Sequence, residues 1–439
     1  MATRAVQAAA LALIAVVTLW AQTPTPPAHL GSETPGLAVQ EDPEYKNVLV
    51  GSVLASASYD TQALYTSTPG GGNYTGDFRY ALQPSIGFQE TRPHLSWTLS
   101  YTPGGSVSQH MTDQFQYTQN AGGELVWTPS TRVLLRLRQD YSLTTNPFEQ
   151  VGREPLLPQL GGFFGPNYTN VLPYTKRETL VSNAELVFRL GPHTAVGFTG
   201  GFQKFDYTPI NGFVPPSATN LIPSHTVNGS AFFSQQLSHS QTVGVQYAYI
   251  DIYSEPSSRV QANDLMLFDR WQITPQHSLT VFGGGEYDRT RQFEVIAIGN
   301  SWRPTGGLTY AWRGNRNALE IQGLRGISNG GGLMNASIMT SGSIGFRSRF
   351  TKRWVGDARF QIADQDSLDQ TIKESFRSIW TGAGLVYEVN RHFSARVDYA
   401  YVHQSGQGLP FLVGTQVFPG NQQLVQFSLD FHFLKPVGR

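Results

Sequence analysis

Near its C-terminal end the chain alternates with a strict period of two. In residues 423–433 one set carries Val425, Phe427, Leu429, Phe431 and Phe433, and the other carries Gln426, Ser428, Asp430 and His432. Successive side chains of a β-strand point to opposite faces, so this segment reads as a strand with one apolar and one strongly polar face. A soluble sandwich seldom sets five large apolar groups opposite four polar ones, because its inner faces form a shared core. A sheet with lipid on one side and water on the other does so routinely. The pattern recurs at Val133, Leu135 and Leu137 ending in Tyr141, at Val243 and Val245 ending in Tyr247 and Tyr249, and at Val397 ending in Tyr399 and Tyr401. Tyrosine has an apolar ring and a hydroxyl that needs water, which suits it to the edge of a hydrocarbon layer. Any single Tyr is equally explained by strand preference. Repetition at the same end of successive strands is what carries the reading.

The connections alternate as well. Short turns fall at 89–93, 128–131, 191–193, 238–240, 274–278, 314–316, 351–353 and 390–392. Between them lie longer, more polar links around 61–73, 103–111, 145–177, 208–224, 254–258, 290–299, 328–336, 365–373 and 405–420. Alternation of short and long puts all tight turns at one end of an up-and-down sheet and all loops at the other. Counting from Val48 to Leu434 gives about eighteen strands of roughly 10–14 residues, enough for the 9–11 that cross a tilted bilayer. If the weak segments near Met266 and Trp302 do not pair, the count falls to sixteen. An unpaired backbone group in hydrocarbon costs several kcal/mol, so first and last strands are expected to pair and close the barrel. The expected fold is therefore an all-β transmembrane up-and-down antiparallel barrel over residues 48–434, wide enough to hold water.

Composition removes the competing classes. The chain has 439 residues and no Cys, which excludes disulfides, thiolate metal sites and a cysteine nucleophile. Thirty-one cations balance thirty-one anions, so the basic footprint of a nucleic-acid binder is missing. Residues 1–21 place Arg4 before an uncharged Ala- and Leu-rich stretch and read as a cleaved signal peptide, with Pro24, Pro26 and Pro27 barring a longer helix. Residues 22–47 read as a Pro-rich mobile periplasmic leader, too short for a folded plug, and 435–439 as a short tail. No other apolar run reaches 18 residues, which excludes helical spans. A soluble exported β-protein is disfavoured, because eighteen apolar strand faces would be left in water.

With the polar face of each strand turned inward, the pore-lining candidates are Arg132, Arg136, Arg138, Asp140, Glu185, Arg189, Glu286, Arg347, Arg349, Asp357, Arg359, Asp398 and Asp430, accompanied by Asp288, Arg313, Glu320, Glu388 and Arg396. Both signs occur in similar numbers, so strong ion selectivity is not expected. The row Arg132, Arg136 and Arg138 either faces acidic groups across the lumen or forms salt bridges along the wall. The longest link, 145–177, carries Leu156, Leu157, Leu160, Phe163 and Phe164, which water solvates poorly. It is expected either to fold into the mouth, with Glu149, Arg153, Glu154, Phe163, Phe164 and Tyr168 as constriction candidates, or to pack over the rim. His94, His193, His239, His277 and His392 sit at or beside turns, and the glycine triplets 70–72, 283–285 and 330–332 lack the helix and Lys-Ser/Thr of a phosphate cradle. No catalytic, cofactor or metal constellation emerges, so neither an enzyme nor a cofactor is expected.

These features together resemble the porin-like outer-membrane β-barrel proteins of Gram-negative bacteria: the signal peptide, the alternating connections, the aromatic girdles and the closing strand Phe427-Ser-Leu-Asp-Phe-His-Phe433. The resemblance covers nearly the whole mature chain and rests on architecture. It implies a bacterial outer-membrane location and passive diffusion of small hydrophilic solutes through a water-filled barrel. The implied partners are outer-membrane lipids, those solutes and the barrel assembly machinery. A homo-oligomer is left open, and nucleic acid is not a partner. In that class the last strand commonly ends in a terminal Phe read by the assembly machinery. Here six residues follow Phe433, so the signal is either read at Phe431 and Phe433 or tolerates the tail. The alternative function is an occluded barrel acting as a surface scaffold, adhesin or secretion partner.

Overall fold

The computed structural model describes residues 47–68, 71–110, 115–145, 175–209, 221–255, 258–292, 298–368, 374–407 and 421–436. They form eighteen strands: β1 Asn47–Thr68, β2 Gly71–Arg92, β3 Leu95–Ser108, β4 Gln116–Ser130, β5 Val133–Thr144, β6 Thr175–Arg189, β7 Thr194–Pro209, β8 Ser224–Ser238 and β9 Gln241–Ser254. The second half continues with β10 Ser258–Thr274, β11 His277–Gln292, β12 Ile298–Arg313, β13 Asn317–Ser328, β14 Ser337–Arg349, β15 Trp354–Ser367, β16 Ser375–Glu388, β17 Phe393–Gln407 and β18 Asn421–Pro436. Each strand pairs antiparallel with its sequence neighbours, and β18 returns to β1. That closing seam runs from Val48 opposite Pro436 to Asp60 opposite Leu424. The sheet therefore has no free lateral edge along this seam, as a hydrocarbon environment demands. Strands near Met266 and Trp302 are formed and paired, so the count is eighteen and not sixteen.

Directly paired residues share a face, so the register assigns every strand residue to one of two sides. Val425 and Phe427 lie opposite Tyr399 and Val397, which lie opposite Ala383 and Leu385. Followed round the barrel, this face collects Leu82, Leu99, Leu137, Phe198, Val245, Leu267, Val281, Leu308, Ile344 and Phe360, all exposed. Its partner face collects Ser52, Gln83, Thr102, Gln203, Gln322 and Ser428, all buried. The exposed apolar side is the outer belt, and the buried polar side lines the lumen. Tryptophans mark the short-turn end of the outer face (Trp97, Trp127, Trp271, Trp354), and tyrosines mark the loop end (Tyr80, Tyr101, Tyr117, Tyr247, Tyr399).

Above the tyrosines the pattern inverts. On β9 and β10 the outer positions become Asp251, Arg259, Gln261 and Asn263, joined by an Arg259–Asp251 ion pair at 2.6 Å and by Tyr247 donating to Asn263 at 2.7 Å. The inner positions at the same height become Ile250, Ile252, Val260 and Ala262, almost wholly buried. Strands of 12 to 22 residues outrun the roughly 9–11 a bilayer needs. Their loop-side ends stand in water, where charge belongs outside and apolar groups pack within.

Candidate functional site: a hairpin folded into the barrel mouth

The inward apolar ends of β9 and β10 have a specific partner. Pairing between β12 and β13 stops at Gly306 opposite Arg325, while β11 and β12 stay paired as far as Arg291 opposite Ile298. The break falls beside Pro304, which has no N–H to give to a ladder and is tolerated where pairing ends. Beyond it β13 and β14 pair only with their other neighbours and with each other, through Ile327 opposite Ile338. The ends of this hairpin lean into the lumen. Ile327, Ala336 and Ile338 form one cluster with Ile250, Ile252, Val260 and Ala262 of the β9–β10 wall and with Leu368. Leu333 and Met334 form another with Phe376 of β16, packed against Tyr207 of β7 and Leu221. A loop tip that touches β7, β9, β10 and β16 spans a large sector of the mouth.

Its tip is built on glycine. Gly330, Gly331 and Gly332 all have positive φ, at 71°, 61° and 85°, the left-handed region that costs other residues a clash at Cβ. They form a single 3-10 turn, closed by Leu333 N–H donating to the Gly330 carbonyl at 3.2 Å and by Gly331 N–H donating to Asn329 Oδ1 at 3.2 Å. At Gly332 there is no room for a side chain, because a Cβ would stand 2.6 Å from Tyr207 Cζ. Polar anchors complete the seat. Ile222 N–H donates to the Gly332 carbonyl at 2.9 Å, Leu368 N–H to the Ala336 carbonyl at 3.2 Å, and Ser254 Oγ to the Asn335 carbonyl at 2.5 Å. Glu286 Oε2 accepts the Ile327 N–H at 3.2 Å.

The sequence-derived charges take their places below and around this hairpin. Arg136, Arg138 and Asp140 on β5, Glu185 and Arg189 on β6, Glu286 on β11, Arg347 and Arg349 on β14, Asp357 and Arg359 on β15, Asp398 on β17 and Asp430 on β18 share the lumen face by register. Arg132 departs from that set, since it lies in the turn between β4 and β5 and not on a strand face. The arginine row of β5 bonds along the wall: Arg136 reaches Glu124 at 3.3 Å and Glu185 at 3.4 Å, and Arg138 reaches Asp140 at 2.6 Å. A second ladder lies on the opposite wall, where Arg396 meets Asp398 at 2.7 Å and Asp357 at 3.1 Å. Glycine at 384 makes that cluster fit, because a Cβ there would stand 2.7 Å from both Arg396 Nη2 and Asp398 Oδ1. Nearer the mouth, directly beneath the hairpin, Asp264 and Glu286 lie opposite each other on β10 and β11, with Asp288 3.6 Å from Arg303.

Glu149, Arg153, Glu154, Phe163, Phe164 and Tyr168 lie outside the described residues; among the described residues the link that folds into the mouth is 328–336. Sequence reading passed over that segment because its three glycines resemble an ordinary loop. The signal was in its flanks: Ile327, Leu333, Met334, Ile338 and Met339 are too apolar for a solvated tip. Among the described residues no group of three or more His, Asp or Glu could hold a metal ion.

No family model and no curated protein sequence matches this chain. Solved structures with a similar barrel include three proteins of Pseudomonas aeruginosa. The outer membrane protein OpdK is 10% identical, with 88% of this chain and 99% of that one covered at a TM-score of 0.43. OccK9 (OpdG) is 10% identical over 89% and 98%, at 0.45, and OccK5 (OpdH) is 12% identical over 88% and 98%, at 0.42. The likeness is one of barrel architecture. The chain is an outer-membrane-type β-barrel of eighteen strands, as its closure and its apolar outer belt require.

Proposed function

We propose that this barrel is an outer-membrane channel for passive diffusion of small hydrophilic solutes, with its loop-side mouth narrowed by the β13–β14 hairpin. One observation carries the reading: a hairpin tip seated on inward residues of β7, β9, β10 and β16, over a lumen lined by paired charges of both signs. Eighteen strands enclose more space than side chains fill, so water occupies what the hairpin leaves open. The wall ladders neutralise one another locally, which gives a polar passage without a strong preference for either ion sign. Solute size is then set by the gap between the hairpin and the β17–β6 side of the wall.

The hairpin also favours the second reading, an occluded surface barrel, if its seat closes the lumen. Swelling of proteoliposomes in isosmotic sugars of graded size separates the two. The channel reading predicts rapid swelling with the smallest sugars and a steep fall with size. Vesicles as tight as protein-free ones, with the barrel folded by heat-modifiable gel mobility, would reject it and leave the occluded barrel.

A further inference from the structure

The hairpin leaves the sheet where side chains take over from the backbone ladder. Thr305 Oγ1 donates to the Arg325 carbonyl at 2.9 Å, and the Ile327 N–H goes to Glu286 Oε2 on β11 instead of to a carbonyl of a neighbouring strand. Glu286 stands in an inward row that runs Ala248, Asp264, Glu286, Arg303 across β9 to β12. Asp264 is 0% exposed, Glu286 1% and Asp288, two residues on, 2%. The cations that face this group are Arg303, which leans to Asp288 at 3.6 Å, and Arg325 of β13, which donates to Thr340. On the β9 side stand Gln246 and Ala248, which do not titrate, and residues 328–336 carry no ionisable side chain. Two arginines thus meet three buried carboxyls. The Asp264 carboxyl hydrogen-bonds to Glu286, and no N–H or hydroxyl reaches either of its oxygens among the described residues. A hydrogen bond between two carboxyls needs a proton on one of them, since an ionised carboxylate only accepts.

We infer that Asp264 and Glu286 share one proton, and that this proton latches the β13–β14 hairpin in its seat. In the seated state Asp264 holds the proton and donates it to one Glu286 oxygen, while the other oxygen takes the Ile327 N–H. When hydroxide removes that proton as water, two like charges are left in contact and out of water, and they repel. With Arg303 drawn to Asp288, Arg325 alone is left for both. Hydration relieves the pair, and water reaches it when the hairpin lifts away from Ile250, Ile252 and Val260. The seated state therefore binds one proton more than the lifted state, so by linkage a rising pH favours lifting. Acid keeps the hairpin in the mouth, and alkali releases it.

A chain without Cys permits a direct test on the whole barrel in lipid vesicles. Met334, 1% exposed at the hairpin tip, is replaced in Met334→Cys, and its rate of labelling by a water-soluble methanethiosulfonate is divided by that of Asn300→Cys, an exposed position on β12. Between about pH 6 and about pH 9 this ratio is expected to rise roughly ten-fold or more. Adding Asp264→Asn, whose amide donates to Glu286 without titrating, should hold the ratio at its low value throughout. Glu286→Gln, whose amide oxygen still accepts the Ile327 N–H, should give the same flat profile. Heat-modifiable mobility selects the variants that fold, and the profile without either change decides the matter if neither does. A ratio that stays flat there, or that rises equally in a folded Asp264→Asn or Glu286→Gln barrel, would overturn the inference. Exposure of the tip is read without any conduction, so failure of the channel reading leaves it untouched.

Discussion

At the scale of the residue, the glycines divide by what stands over them. Gly283 and Gly284 are neighbours on β11, yet a Cβ on Gly283 meets nothing nearer than the Thr305 carbonyl oxygen at 3.9 Å, while one on Gly284 runs into the Leu265 carbonyl and stands 2.8 Å from Met266 Cα. Backbone cannot swing aside as a side-chain end can. Gly284→Ala is therefore expected to destabilise the barrel by about 1–3 kcal/mol, the range for overpacking, and Gly283→Ala to leave stability unchanged. Urea unfolding midpoints in lipid vesicles check the pair, and equal midpoints would contradict the close approach. Sequence separates the triplet 283–285 from a phosphate cradle, but neither composition nor spacing distinguishes the two positions. That distinction is a property of how closely β10 and β11 approach. Which acid each lumen arginine meets was likewise hidden, because Arg136 bridges to Glu124 and Glu185 only once β4 to β6 are in register.

At the scale of the element, the period-two pattern sets the face of each strand, and two adjacent residues can reveal it. On β15, Phe360 lies outward in the belt beside Ile344, and Gln361 lies inward beside Ser343. An arginine in the belt costs roughly 2–4 kcal/mol near the bilayer midplane, whereas lumen substitutions alter selectivity. Phe360→Arg should strongly reduce the folded barrel recovered from outer membranes, and Gln361→Arg should leave it near the parent level; equal recovery would mean the faces are wrongly assigned. Strand existence was legible because each crossing repeats the same alternation between turn signals. The inversion at Ile250 and Ile252 was also written in the sequence, but a rule that turns every polar set inward reads those residues as lipid-facing. In the fold they form a wall against which the hairpin packs, and their outward neighbours Asp251 and Tyr253 stand beside water.

For the whole molecule, closure followed from hydrogen bonding, and the count of eighteen from the alternation of short turns and long links. The seat of the β13–β14 hairpin in the mouth did not follow. Residues 328–336 read as one of nine similar links, and what makes them different is a long-range fact: Leu333 and Met334 find Phe376 and Tyr207 on strands far away in sequence. In the proposed channel this hairpin narrows a water-filled barrel. Single-channel conductance in planar bilayers tests it directly, comparing the parent with a variant whose residues 329–335 are replaced by a two-residue Asn-Gly turn. Stable steps are expected in the parent and a conductance increased several-fold in the variant, with unchanged heat-modifiable mobility. Identical conductance in the two, or no steps in either, would contradict it.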